Sequence, residues 1–178
     1  MVADAIPLQR VPTDIRDLLR SCLGALRSQA ETFDIALRVD VEANVSGLVC
    51  LDRAKIAWVI TALVGNALRY VRHGSQTMPG GTIIVHAACD QTPGRIVLEV
   101  QDDGPGIRAD RLQSLLGESS DSPGLALGLA MARDVVVAHG GTFAIDSDTD
   151  ARSRGTRVRF TLPAAAAQEC RLGGSSST

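Results

Sequence analysis

Two apolar-rich strand-like runs, residues 82–89 and 95–102, are separated only by Asp90 to Gly94. A connection that short can close a hairpin, helped here by Pro93 and Gly94, but it cannot house the crossover helix that a parallel pair needs. The centre of the chain is therefore antiparallel sheet. The helical segments around it must cover a face of that sheet rather than alternate regularly with its strands.

The flanking periodicities supply those segments. After Pro12, Thr13 and Asp14, the residues Ile15, Leu18, Leu19, Cys22, Leu23 and Leu26 recur at helical spacing, predicting an amphipathic helix over 14–31. Ile35, Leu37, Val39 and Val41 then alternate as in a half-buried strand, and Leu48 to Leu51 is a shorter one. Asp52 opens a second helix carrying Ile56, Val59, Ile60, Leu63 and Ala67, predicted to end near Gly74. Between Ile107 and Gly124 the pattern predicts a short helix and a mobile loop, and from Leu125 to His139 a third long helix stopped by Gly140 and Gly141. Strands at 142–147 and 156–162 follow. The expected fold is α+β: a two-layer sandwich whose mixed, mostly antiparallel sheet is covered on one face by three helices. One domain over 1–163 and a disordered tail over 164–178, rich in Ala, Gly and Ser, are the expected organisation.

Charge narrows the function classes. Eighteen basic residues against twenty acidic ones leave a net charge of -2, too balanced to hold nucleic acid or anionic lipid by bulk electrostatics. Aromatics at 3% make base-stacking platforms for single strands implausible. Neither nucleic-acid binding nor direct membrane contact is expected, and any anion must be held locally. The scattered Cys22, Cys50, Cys89 and Cys170 read as reduced thiols, and the lack of a long apolar run or an apolar leader reads as a soluble, cytoplasmic chain.

Three clusters carry chemistry. Asn66, Arg69, Tyr70 and His73 fall on one stripe of the second helix, offering an amide oxygen for hydrated Mg²⁺, a cation for phosphate and a ring for a base. An ordinary solvated helix face has the same composition. Asp102-Asp103-Gly104-Pro105-Gly106-Ile107 follows a strand directly; its glycines admit a ligand close to the backbone, and a carboxylate at the strand end can read an exocyclic amine. A plain Asp-Gly turn before a helix is the alternative. Gly124-Leu125-Ala126-Leu127-Gly128-Leu129-Ala130 opens a helix, where free N–H groups favour anions, although one glycine-rich stretch is weak evidence and no Walker loop occurs.

Taken together, the strings DRAKIAWVITALVGNALRYVRHG, VQDDGPGI, GLALGLAMARDVVVAHGGTFAIDS and RGTRVRFTLP resemble the N, G1 and G2 boxes and the last strand of the ATP-binding domain of sensor histidine kinases, in the superfamily with gyrase B, MutL and the heat-shock ATPase chaperones. The resemblance runs over residues 5–163 and implies a Bergerat fold that binds ATP with Mg²⁺. Asn66 would ligate the metal, Arg69 would face phosphate, and Tyr70 would border the nucleotide. Asp102 would read adenine with Thr156 helping through a water. Gly104 and Gly106 would form the pocket floor, with Ile107 a further nucleotide-binding residue, Gly128 with the N–H groups of Leu127 and Leu129 the phosphate cradle, and the loop from about Arg108 to Pro123 the lid. The implied activity is transfer of the γ-phosphoryl of ATP to a histidine on a separate dimerisation domain, with a response regulator as indirect partner and a parent protein that can be membrane-anchored.

The chain also departs from the pattern. Ala62 stands four residues before Asn66, where hydrolytic relatives place a glutamate, and a methyl group cannot be a general base. Ala126 replaces a glycine, which would strain the lid hinge if that position needs a positive φ. The usual aromatic box is absent, with Leu115 and Leu116 as the nearest apolar stand-ins, and none of His73, His86 and His139 has the setting of a phosphoacceptor. No catalytic residue beyond the ATP site is therefore expected within the chain, which reads as a fragment of a longer protein. A degenerate domain serving as a nucleotide-sensing or protein-interaction module is the competing expectation, and an ATP hydrolase a third. Trp58 is expected to pack, and Lys55, the only lysine, to face solvent.

Overall fold

The structure, a computed structural model, describes residues 6–45, 48–116, 123–150 and 152–164; the side chains of 113–126 fall outside the description. The elements in chain order are β1 (Val11–Asp14), α1 (Ile15–Thr32), β2 (Ala36–Val41), β3 (Leu48–Leu51), α2 (Arg53–Tyr70), β4 (Thr82–Cys89), β5 (Arg95–Asp102), α3 (Ala109–Leu116), α4 (Pro123–Ala138), β6 (Phe143–Asp148) and β7 (Gly155–Pro163). Five strands form the main sheet in the order β2-β4-β5-β7-β6. Only β2 and β4 run parallel; the other pairings are antiparallel, beginning with the expected β4–β5 hairpin. The α+β sandwich read from the pattern is thus the fold observed.

Local chemistry explains the element boundaries. The Asp14 carboxylate accepts hydrogen bonds from the N–H groups of Arg16 and Asp17 at 2.7 and 3.1 Å, capping α1. Asp52 caps α2 through the N–H of Lys55 at 3.1 Å. The helix ends at Tyr70, not near Gly74, because Val71 turns extended and is buried. The next residues instead hold neighbouring loops: Gly74 N–H donates to the carbonyl of Phe33 and Gly81 N–H to that of Arg72, at 2.8 Å each. His73 consequently leaves the helical stripe and stacks on Phe33, ring centroids 4.2 Å apart.

Packing follows the apolar faces. Ile15, Leu18, Leu19 and Leu23 of α1 and Ile56, Val59 and Ile60 of α2 meet Ile83, Leu98, Phe160 and Leu162 of the sheet, all 1% exposed or less. Burial of each such side chain contributes about 1.5–3 kcal/mol before the entropy of ordering it. One strand was not legible in the sequence. Residues 11–14, read as a helix approach, pair with β3 in a separate two-stranded sheet, Val11 opposite Leu51. A four-residue strand whose partner lies far along the chain leaves no local period.

Cys22 and Cys89 are free thiols, as expected, whereas Cys50 is disulfide-bonded. Ala164 is tied by its N–H to the Gly94 carbonyl at 2.7 Å; the rest of the expected tail, 165–178, lies outside the described residues. Among the described residues no helix is long and apolar enough to cross a membrane.

Candidate functional site

Under α2, beside the ends of β5 and β7, lies a cavity of about 270 Å³. Its walls are Leu63, Ala67, Val100, Leu129, Ile145 and Val158, and its polar groups come from Asn66, Tyr70, Asp102 and Thr156, with Gly106, Ile107, Arg108 and Arg111 at the loop side. An apolar slot with a few convergent polar groups suits a flat heteroaromatic ligand. The three distant segments singled out in the sequence thus contribute to one cleft.

Asp102 is the last residue of β5 and lies opposite Thr156 in the β5–β7 register. Its carboxylate accepts the Gly104 N–H at 2.8 Å and the Thr156 N–H. Burial pushes its pKa above the usual carboxylate range; the two N–H bonds oppose this and the neighbouring Asp103 charge adds to it. The carboxylate is therefore held in place and partly desolvated, the state in which a hydrogen bond to a ligand counts most.

The backbone between Gly104 and Ile107 is equally determined. A Cβ on Gly104 would lie 2.7 Å from Asp102 Oδ1. Gly106 has φ 73° and a Cβ there would collide with the carbonyl oxygen of Asp148 at the end of β6. Ile107 N–H donates to Ser147 Oγ at 2.8 Å. Ser147 was not singled out in the sequence, although the period of β6 puts it on the face of Ile145, which lines the cavity.

Other expected site residues fall differently. Arg69 is exposed on α2 and does not line the cavity. Cations at the cavity come instead from Arg108 and Arg111, which the sequence reading had placed only at the start of a lid; Arg108 forms a two-pronged pair with Asp110, 3.1 Å at each contact. Helix α4 begins at Pro123, a residue suited to a first helical position, so the N–H groups of Leu127, Gly128 and Leu129 lie inside the helix rather than at its open end. Leu129 is buried against the cavity, Leu127 is 61% exposed, and a Cβ on Gly128 would touch nothing within 4 Å. Ala126 sits within α4; among the described residues the only positive φ outside glycine is that of Asp34, so the expected hinge strain is not present. The side chains of Leu115 and Leu116 and residues 117–122 of the expected lid lie outside the description.

The remaining candidates are structural. His139 is buried, its Nε2 accepting the Asp52 N–H at 3.0 Å and its Nδ1 facing the Val135 carbonyl at 2.7 Å. His86 lies beside Glu42. Lys55 is not simply solvent-facing: its ammonium lies 2.7 Å from the buried Asp52 carboxylate. Trp58, expected to pack, is 40% exposed. No group of three or more His, Cys, Asp or Glu among the described residues could hold a metal ion.

Comparison with known proteins agrees with this geometry. Residues 51–166 match the family described as "Histidine kinase-, DNA gyrase B-, and HSP90-like ATPase". The chain is 33% identical over 139 residues to the C4-dicarboxylate transport sensor protein DctB of Rhizobium meliloti strain 1021, covering 76% of this chain and 21% of that protein. It is likewise 33% identical over 141 residues to the sensor protein DivL of Caulobacter vibrioides, covering 76% of this chain and 17% of DivL. The chain thus spans about a fifth of the length of these curated relatives. Among solved structures, full-length ShkA in complex with AMPPNP shares the fold with a TM-score of 0.74 at 24% identity, over 92% of this chain and 33% of that one. The mycobacterial sensor histidine kinase MprB matches with a TM-score of 0.70 at 27% identity, over 89% of this chain and 99% of that one. With the fold, the cleft and the match over 51–166 in agreement, the chain belongs to the histidine kinase-, DNA gyrase B- and HSP90-like ATPase family, alongside sensor histidine kinases.

Proposed function

We propose that the chain is the ATP·Mg²⁺-binding catalytic domain of a two-component sensor histidine kinase, working in the cytoplasm and presenting the γ-phosphoryl group to a histidine on a separate dimerisation domain. The observation that carries this reading is the convergence of Asn66, Asp102 and Thr156 on one cavity. Of the proteins sharing the fold, ShkA was solved with AMPPNP and ThkA with its response regulator TrrA, and a comparable partner is proposed for the parent of this chain.

The proposed division of labour is supported by the lining of the cavity. Asp102, fixed by two N–H groups, takes the exocyclic amine of adenine, and the walls from Leu63 to Val158 exclude water from the ring. The phosphates then extend toward Asn66, whose half-buried amide has no hydrogen-bond partner among the described residues and is open to a ligand. Mg²⁺ bound there with the nucleotide would neutralise phosphate charge. Arg108 and Arg111 at the cavity are the cations placed to assist, in the role expected of Arg69. Transfer by such a site is mainly positioning and charge compensation. With Ala62 on α2 in place of a carboxylate, the base comes from the acceptor side, and the chain alone should bind nucleotide yet turn it over slowly.

Asp102→Asn should weaken ATP binding by about 1–3 kcal/mol, the cost of spoiling a buried charged hydrogen bond, as read by calorimetric titration. Unchanged affinity would remove Asp102 from the base-reading role. Asn66→Ala should weaken ATP only when Mg²⁺ is present and match the wild type in chelator; an equal loss in both buffers would mean that Asn66 does not act through the metal. If the wild-type chain shows no saturable binding at millimolar ATP, the interaction-module reading takes precedence.

A further inference from the structure

We propose that Ser147 sets the base preference of the cavity by fixing the direction in which the Thr156 hydroxyl points. Ser147 Oγ has three partners: the Ile107 N–H at 2.8 Å, the Gly155 carbonyl oxygen at 2.8 Å and Thr156 Oγ1 at 2.9 Å. A serine hydroxyl carries one proton and two lone pairs. The Gly155 carbonyl can only accept, so the Ser147 proton goes there; otherwise two oxygens would face each other at 2.8 Å with no hydrogen between them. Ile107 N–H fills one lone pair. The contact with Thr156 must then be made by the Thr156 proton, which fills the other.

This polarity reaches the cavity because Thr156 lines it beside Asp102. With its proton turned toward Ser147, Thr156 offers only lone pairs to a ligand. The ionised Asp102 carboxylate is also acceptor-only. The polar groups that meet the base edge are thus matched to a donor such as the 6-amino group of a purine and mismatched to a 6-oxo group. The inference rests on the nucleotide reading above and adds to it a residue that touches no ligand. Ser147 is a positioning residue whose loss should change selectivity rather than only affinity.

The test compares ATP with inosine triphosphate, competed for the same site on the full 178-residue chain. Ser147→Ala frees the Thr156 hydroxyl to rotate and donate to the 6-oxo group, so the preference for ATP should fall roughly threefold to tenfold, the worth of one neutral hydrogen bond. Adding Thr156→Val to Ser147→Ala should cancel the gain in inosine triphosphate affinity, because no hydroxyl then remains to donate. Ser147→Thr, which keeps the oxygen, should behave as wild type. Thr156→Val alone, independent of whether Ser147→Ala folds, should not weaken inosine triphosphate binding and should strengthen it where the lone-pair mismatch is relieved. Loss of that affinity would show that the hydroxyl donates into the cavity in the native protein and would overturn the proposal. An undiminished preference in a folded Ser147→Ala chain would do the same while leaving the adenine-site reading intact. A wild-type chain that binds neither nucleotide overturns both.

Discussion

Replacing Gly106 by alanine is expected to cost about 3 kcal/mol or more of stability and to abolish measurable nucleotide binding, the larger effect being on the cleft. At φ 73° an L side chain alone costs roughly 1–2 kcal/mol. The added Cβ would also drive into the carbonyl oxygen of Asp148, the last residue of β6, which cannot rotate away as a side chain could. Relief requires the loop to lift, and lifting it breaks the Ile107–Ser147 hydrogen bond and carries away the loop wall of the cavity. Urea denaturation and ATP titration of Gly106→Ala report the two effects. Gly128→Ala is the control: a Cβ there meets nothing within 4 Å, and alanine favours a helix interior, so stability should hold or rise. Equal behaviour of the two variants would contradict this account of the loop.

The second large effect belongs to Asp52. Its carboxylate caps α2 through the Lys55 N–H at 3.1 Å, pairs with the Lys55 ammonium at 2.7 Å and receives the Gln9 N–H at 2.9 Å. Asp52→Ala removes all three and leaves the Gln9 N–H without its acceptor, for an expected loss of about 3 kcal/mol. The pH dependence has a definite sign. Burial alone would raise the Asp52 pKa, but the Lys55 and Gln9 bonds outweigh it and hold it at about 2. A carboxyl depressed in the folded state contributes its full stability above its unfolded pKa of about 3.9 and loses it as pH falls toward the folded value. The gap between wild type and Asp52→Ala should therefore shrink between about pH 4 and 2. Burial lowers the pKa of His139, whose charging opposes folding below about pH 6.5, and the Asp52 charge works against that lowering, so the two proteins differ at His139 as well and only the shrinking of the gap below about pH 4 reports the Asp52 carboxyl itself. A gap that persists undiminished to pH 2 would assign the effect to packing instead.

Much of the fold was legible because its elements carry their own periods. The helix over 14–31 and the strands at 82–89 and 95–102 appear within a residue or two of their predicted bounds, since each buries one face and the apolar spacing records it. What failed lacked such a record. Strand β1 depends on pairing with a segment far along the chain, and α2 stops at Tyr70 because Val71 and Gly74 are recruited by neighbouring loops. The start of α4 was placed two residues late, and that small shift moves the N–H groups of Leu127 to Leu129 from an open helix end into its interior.

The sequence alone determined two of the polar groups of the cleft and the fold class: Asn66 from the spacing of an amphipathic helix, Asp102 from a strand ending in Asp-Asp-Gly-Pro-Gly, and the class from one short hairpin turn. Only the tertiary structure decided which of them meet. Arg69 lay away from the cavity while Arg108 and Arg111, themselves exposed, came to its loop side, and Ser147, an unremarked residue near a strand end, came to join the glycine loop to Thr156. The reason is physical: residue type and period are local properties of the chain, whereas the direction of a hydroxyl proton or the reach of a guanidinium depends on groups that become neighbours only once the sheet has closed beneath the helices.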